Sequence, residues 1–335
     1  MKTKIITALK YIFVFSLTGV LVWLSLRGLK TDDDQNKAEL LWQTWQQSNK
    51  NYLLLMAVIA IASHWLRAVR WKLLMEPTGH FVNQWSSFHS LMVGYLINLV
   101  IPRGGEISRS YNLYKLEKTP IETSFGTVVV ERIVDLICLL ILLLLSFSLE
   151  WDNLILFFEQ IGIGKSSPTI AIPRWVWFGL VALSIFAFFI FTFRKHERLK
   201  KIIDGFKDGL LAVLRLDKKA LFVFYSLLIW ILYFMMTYSV MLAFKQTSGL
   251  GVGAVLIIFA IGAIAMAIPL PGGLGSYHTL MPVGLVMIYQ IPRTEAVSFV
   301  FVFHGWQTLV MILGGLISLI STYIIIQKRG TSREK

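Results

Sequence analysis

Three ionisable residues, Glu131, Arg132 and Asp135, open an apolar run that continues from Leu136 to Leu145. A charge at the centre of a membrane helix costs about 2.5 to 3.5 kcal/mol on the insertion scale, so such residues face protein or water. Glu131 and Asp135 are four apart and share a helix face, while Arg132 can reach its neighbours or a phosphate. Two uses stay open: a charged cavity wall, or a salt bridge that fixes helix packing. His304 and Gln307 repeat the three-residue step from Arg132 to Asp135, again inside an apolar run. A neutral imidazole can donate, accept or take a proton, and it can equally be a satisfied packing residue, as we also read His64 and His89.

Two Pro-Gly motifs interrupt apolar stretches. They are Ile101-Pro102-Arg103-Gly104-Gly105-Glu106-Ile107-Ser108 and Ile268-Pro269-Leu270-Pro271-Gly272-Gly273-Leu274-Gly275-Ser276. Inside hydrocarbon every backbone N–H and C=O must be paired, so a broken helix belongs where it lines protein or a water cavity. Breaks at matching places in two halves of a chain point to a transporter-like binding site. Paired glycines allow successive N–H groups to converge on an anion, with Arg103 or Arg109 supplying charge, and a phosphate suits that nest. Around the second turn, Ser276, Tyr277 and His278 form a neutral set better matched to hydroxyl or sugar groups. Where the first motif has Arg103 and Glu106 the second has Pro271 and Leu274, so the charged contact is not duplicated.

The elements that must hold these groups are membrane helices. A chain of 335 residues that is 56% hydrophobic and 15% charged, with mean hydropathy +0.67, is too apolar for a soluble globular protein. The net charge of +13 is spread between apolar runs, which points to topology and excludes a nucleic-acid partner. Cys138 is the single cysteine, so no intrachain disulfide forms, and it reads as a packing residue. Lys2, Lys4 and Lys10 precede an apolar run that lacks a small-residue cleavage site, the pattern of an uncleaved first helix. Asp32, Asp33 and Asp34 lack further ligand spacing and read as a solvated outer loop rather than a metal site. No nucleophile elbow, Walker loop or H-E-x-x-H occurs, and nothing points to a cofactor.

A span needs roughly 20 apolar residues, which gives six, near 8–26, 51–69, 124–148, 175–193, 221–244 and 296–326. The stretches 86–101 and 250–290 are left over, the first too short to cross and the second broken in its middle. With both termini cytoplasmic and neither odd stretch changing sides, 23 of the 32 Lys and Arg fall inside, Arg67, Arg70 and Lys72 among them. The first break then enters from the cytoplasmic side and the second from outside. The expected fold is all-α: a single integral membrane domain over 1–335, with six spans and two broken re-entrant elements arranged as an inverted repeat. The first repeat covers 1–150, the second 174–327, and 194–220 forms a cytoplasmic amphipathic linker on anionic headgroups. The competing arrangement is a bundle of kinked helices. Trp23, Trp65, Trp71, Trp151, Trp175 and Trp177 fall near span ends, where indole belongs.

The run from Gly94 through Asn98 to Glu106, then Glu131-Arg132-Ile133-Val134-Asp135, then Pro269 to Gly275, resembles the membrane region of the lysylphosphatidylglycerol synthase family. That family also includes stand-alone, flippase-like integral membrane proteins. The likeness covers roughly Tyr11 to Ile326. In the synthases a cytoplasmic domain attaches lysine to phosphatidylglycerol and the membrane part moves the product outward; similar regions accompany archaeal glycosyltransferases acting on polyprenyl-linked sugars. Ending at Lys335, the chain resembles the stand-alone members, which implies a lipid flippase rather than an enzyme. The resemblance implies a bacterial inner-membrane location, partners among lipids with anionic headgroups, and a neighbouring glycosyltransferase or other envelope enzyme. Residues expected at the substrate are Asn98, Arg103, Gly104, Gly105, Glu106, Arg109, Glu131, Arg132, Asp135, Pro271, Gly272, Gly273, Ser276, Tyr277, His278, His304 and Gln307. A membrane transferase using Glu131 or Asp135 as base, or a non-transporting partner subunit, are the alternatives.

Overall fold

The computed structural model describes residues 36–151, 197–268 and 270–331, together with scattered positions between 16 and 26. Every regular element among them is helical. In chain order they are α1 (Lys37–Gln47), α2 (Lys50–Met75), α3 (Gln84–Asn98), α4 (Gly105–Glu117), α5 (Ile121–Leu149), α6 (Glu197–Leu211), α7 (Lys219–Ala243), α8 (Lys245–Ser248), α9 (Val252–Ala267), α10 (Ser276–Tyr289) and α11 (Arg293–Thr331). The expected span at 175–193, most of that at 8–26, the Asp32 to Asp34 run, Trp175 and Trp177 lie outside the described residues.

Among the described residues, three helical segments, Lys50–Thr78, Lys219–Ala243 and Arg293–Arg329, are long and apolar enough to cross a membrane. Helix α5 is 29 residues long and has two unlike sides. Ile133, Leu136, Ile137, Leu140, Ile141 and Leu144 are exposed at helical spacing along one side, while Thr127 and Glu131 are buried on the other.

Both odd stretches fold as hairpins of short helices. Arms α3 and α4 have 15 and 13 residues, and α9 and α10 have 16 and 14. At 1.5 Å per residue each arm reaches about 20 to 24 Å, short of a hydrocarbon core of about 30 Å. The first turn closes when the Gly105 N–H donates to Asn98 Oδ1 at 2.7 Å. A Cβ on Gly105 would strike the Gly94 carbonyl and the Asn98 amide, so only glycine lets the two arms approach this closely. The second turn runs through Gly272, Gly273 and Gly275 at φ of 56°, 71° and 92°, a path that side-chain-bearing residues rarely follow. It is tied down by the Ser276 hydroxyl, which donates to the Ala265 carbonyl at 2.8 Å. The two hairpin tips touch: a Cβ on Gly272 would lie 2.9 Å from a Leu99 methyl.

The return arms also end alike. Helix α4 stops at Lys118 in the left-handed region, and Pro120 then caps α5; α10 stops at Gln290 in the same region, and Pro292 then precedes α11. Ser124 N–H donates to Pro120 O at 3.1 Å and Ala296 N–H to Pro292 O at 2.9 Å. The polar arm α4 carries no apolar run, and sequence patterning passes over it.

The packing centres on α2 against α7, with α3 seated on α11 and α9 on α5. Leu53, Met56, Met241, Phe244, Ile258 and Phe299 belong to the main apolar core between them. The amphipathic segment of 194–220 is helical over α6 and a following turn, Ala212–Arg215. It crosses the start of α5, where Gly126 meets the Phe206 carbonyl and Gly209 meets that of Thr123. Trp71 departs from the interfacial expectation: it is fully buried, and its indole N–H donates to Thr127 Oγ1 at 2.9 Å. Its polar edge finds a protein partner, which removes any need for the water interface.

The touching tips give a direct test. With Cys138 replaced by Ser, the pair Leu99→Cys and Gly272→Cys should form a disulfide under mild oxidation, since a Cβ on Gly272 would lie 3.9 Å from the Leu99 Cα. Failure to cross-link, read as unchanged mobility without reductant, would part the two tips.

Candidate functional site

Helix α2 carries Arg67 and Arg70 on its inner side, three residues apart, and α5 presents Glu131 and Asp135 to them. Arg67 Nη2 lies 2.5 Å and Arg70 Nη2 2.8 Å from the Asp135 carboxylate. Arg70 also reaches Glu131 at 3.4 Å, and Arg109 on α4 meets the other Glu131 oxygen at 2.7 Å. Arg67 donates to the Tyr233 hydroxyl at 3.0 Å and Arg70 to Ser226 Oγ at 3.2 Å, both on α7. The Arg109 guanidinium lies over the Trp71 ring, 3.6 Å from its centroid. One set of charges therefore joins α2, α4, α5 and α7. Taking such groups out of water costs several kcal/mol per ion, of order what their attraction returns, so their main effect is to demand partners in one arrangement.

A fifth pair is unlike these. Arg132 approaches Glu106 only to 3.4 Å, with the two side chains 42% and 19% exposed. It sits where two cavities adjoin. The more polar, of about 330 Å³, lies between the hairpin tips, with Asn98, Arg103 and Glu106 from the first and Gly272 and Gly273 from the second, closed by His304 of α11. The more apolar, of about 420 Å³, runs along α5 and α7, with Arg67 and Asp135 at one wall and Trp230, Phe259 and Tyr277 around it. Tyr95, Arg132, Met266, Gln307 and Met311 line both and form the partition.

The residues expected at the substrate fall into groups. Asn98, Arg103, Glu106, Arg132, Gly272, Gly273, His304 and Gln307 come together on the polar cavity, and Asp135 and Tyr277 face the apolar one. Arg109 and Glu131 are buried behind that wall as an ion pair. Gly104, Gly105, Pro271 and Ser276 build the turns. The Gly104 and Gly105 amides are already engaged, with the Ile101 carbonyl at 2.9 Å and with Asn98, so an anion in this cavity meets guanidinium groups rather than a backbone nest. His304 bonds the Gly272 carbonyl at 3.1 Å. His278 turns away toward a third cavity beside Ser25, with its ring 4.8 Å from that of His304. His64 packs against Tyr95, with ring centroids 4.6 Å apart and planes tilted by 50°, and lines the apolar cavity.

Arg67 and Arg70 are the residues sequence reasoning missed. Topology bookkeeping places them on a cytoplasmic segment, yet α2 continues past them through Leu73, Leu74 and Met75, all buried. That apolar continuation, with two arginines three residues apart inside it, was the available signal.

Residues 8–315 match the family described as lysylphosphatidylglycerol synthase TM region. A UPF0104 membrane protein of Methanothermobacter thermautotrophicus is 27% identical over 267 residues, covering 69% of this chain and 73% of that protein. A UPF0104 membrane protein of Methanocaldococcus jannaschii is 35% identical over 91 residues, 26% of this chain and 27% of its own length. No solved structure matches the chain significantly.

Removing one partner from a buried ion pair leaves the other uncompensated, which costs about 3 to 5 kcal/mol. Asp135→Asn should therefore lower the thermal unfolding midpoint in detergent far more than Asp208→Asn, whose Arg215 partner is about half exposed. Equal shifts would show that the network carries little of the stability.

Proposed function

Because the chain belongs to the lysylphosphatidylglycerol synthase TM region family, we propose that this membrane protein is a flippase that moves a phosphate-bearing lipid between the leaflets of a bacterial inner membrane. The observation that carries this reading is the meeting of two short-armed hairpins at a polar cavity that adjoins an apolar one. A lipid has the same two-part character. Its phosphate would lie against Arg103 and Arg132, hydroxyls on its headgroup against Gln307 and Asn98, and its chain along the apolar side toward Trp230 and Phe259.

In this reading α2, α5, α7 and α11 are spans, joined by two more at 8–26 and 175–193, and the hairpins enter from opposite leaflets as the two halves of an inverted repeat. Reciprocal packing supports it: each hairpin's leading arm lies on the long helix of the other half, α3 on α11 and α9 on α5. The matched left-handed ends at Lys118 and Gln290, each two residues before a proline, support it further. Such a pair of halves can rock about the α2 to α7 contact to open the cavity to either side. The transferase alternative is weaker, since Glu131 and Asp135 each already face two guanidinium groups. A neighbouring glycosyltransferase as partner would place the cargo among polyprenyl phosphates.

Purified protein in liposomes should accelerate leaflet exchange of labelled phospholipid or polyprenyl phosphate. Arg132→Gln, which removes a charged contact to phosphate, should slow exchange by about tenfold or more. Unchanged exchange rates across a broad lipid panel, with and without wild-type protein, would refute transport.

A further inference from the structure

His278 and His304 meet edge to face, with ring centroids 4.8 Å apart and planes at 80°. Both are buried, yet they front different spaces. His304 lines the polar cavity, where its Nε2 bonds the Gly272 carbonyl at 3.1 Å. His278 lines the third cavity, of about 230 Å³, which follows α10 past Thr279, Pro282 and Val286 to Met287 and Arg293. Nine residues of helix at 1.5 Å each make that a path of about 13 Å, from the hairpin tip towards the turn before α11.

Pro282 sits inside α10 and has no N–H for the His278 carbonyl, four residues back. Ser25 supplies the missing donor: its hydroxyl reaches that carbonyl at 2.5 Å and brings the first apolar run against the third cavity. The His278 ring itself keeps a buried Nδ1 that has no hydrogen-bond partner. An unpaired buried nitrogen costs about 1 to 3 kcal/mol, a cost that a phenyl ring would avoid. Packing on Phe301, with centroids 4.3 Å apart, does not require it. What an imidazole adds over a phenyl ring is the capacity to take and give a proton, the use that histidine chains have in membrane carriers.

We propose that His278 and His304 relay protons between the third cavity and the polar one, and that the protein moves its anionic lipid together with a proton. The inference rests on the transport reading above and adds the coupling ion to it. A carbonyl can only accept, so in the neutral His304 ring Nε2 carries the hydrogen and Nδ1 the free lone pair. A proton entering along α10 binds His278, passes to His304, and leaves for water or a phosphate oxygen in the polar cavity; both rings return neutral. The charged and titratable groups facing the pair are Tyr277 on α10, Arg293 on the third cavity, and Tyr95, Arg103, Glu106 and Arg132 around the polar one. Helix α9, packed on α10, carries no ionisable residue. A phosphate placed in the polar cavity attracts an imidazolium at His304, so cargo and proton favour each other's binding. The coupling is therefore cotransport.

The test uses proteoliposomes that carry labelled phosphatidylglycerol or polyprenyl phosphate and a trapped pH dye, with a pH step of about one unit and the membrane potential clamped at zero. One proton per lipid sets a leaflet ratio of about tenfold per pH unit, the label gathering on the less acidic side faster than in protein-free vesicles. The dye should report proton movement in step with the lipid. His278→Asn and His304→Gln should each bring the ratio to about one. The wild-type measurements need no variant to fold. A wild-type ratio near one despite rapid exchange, or a tenfold ratio kept by both variants, would overturn the coupling and leave transport standing. Failure of wild-type protein to exchange either lipid would remove the transport reading, and the coupling with it.

Discussion

An ionised side chain buried inside a protein must find its opposite, and the rest of this architecture follows from how α5 meets that demand. Glu131 and Asp135 sit one turn apart and require cations on the same face. Arg67 and Arg70 supply them from α2 with the same one-turn spacing, so the two helices lock at a single register. Hydrogen bonds from the same arginines to Ser226 and Tyr233 carry the register into α7. Arg109 then fixes the first hairpin from behind, between Glu131 and the ring of Trp71. A purely apolar interface of this size could slide by a turn with modest loss. This one cannot without stranding buried charge.

With that frame set, the hairpins become placeable. The arms are too short to cross hydrocarbon alone, and their backbone at the tips is acceptable only because each tip lies against the other and against protein. Asn98 closes the first turn and Ser276 the second, using side chains to pair groups that a continuous helix would have paired. The cavity between the tips is therefore a product of two interruptions rather than of a gap in packing.

Much of this was legible in the residues. The Pro-Gly breaks, their pairing, the amphipathic helix before α7 and the charged triplet of α5 all announce themselves through composition and spacing. Helix α4 did not, since a polar arm wedged between α3 and α5 shows neither apolar periodicity nor span length. Arg67 and Arg70 were hidden by the rule that basic residues at the end of an apolar run mark a cytoplasmic border; here the helix goes on, and only tertiary packing reveals what lies opposite them. Trp71 misled for the same reason. A residue's distance along a span says little about which way it faces, and the partner that decides this can be far away in sequence.

The partition between the two cavities has an unusual make-up. Beside the stiff ring of Tyr95 it consists of Arg132, Met266, Gln307 and Met311, unbranched chains with three or more rotatable bonds each. Semi-exposed chains of this sort change rotamer on the picosecond to nanosecond scale, whereas helices shift over about microseconds to milliseconds. The wall between the two chambers is thus a curtain of flexible side chains, able to part on a timescale far shorter than any rearrangement of the scaffold that holds it.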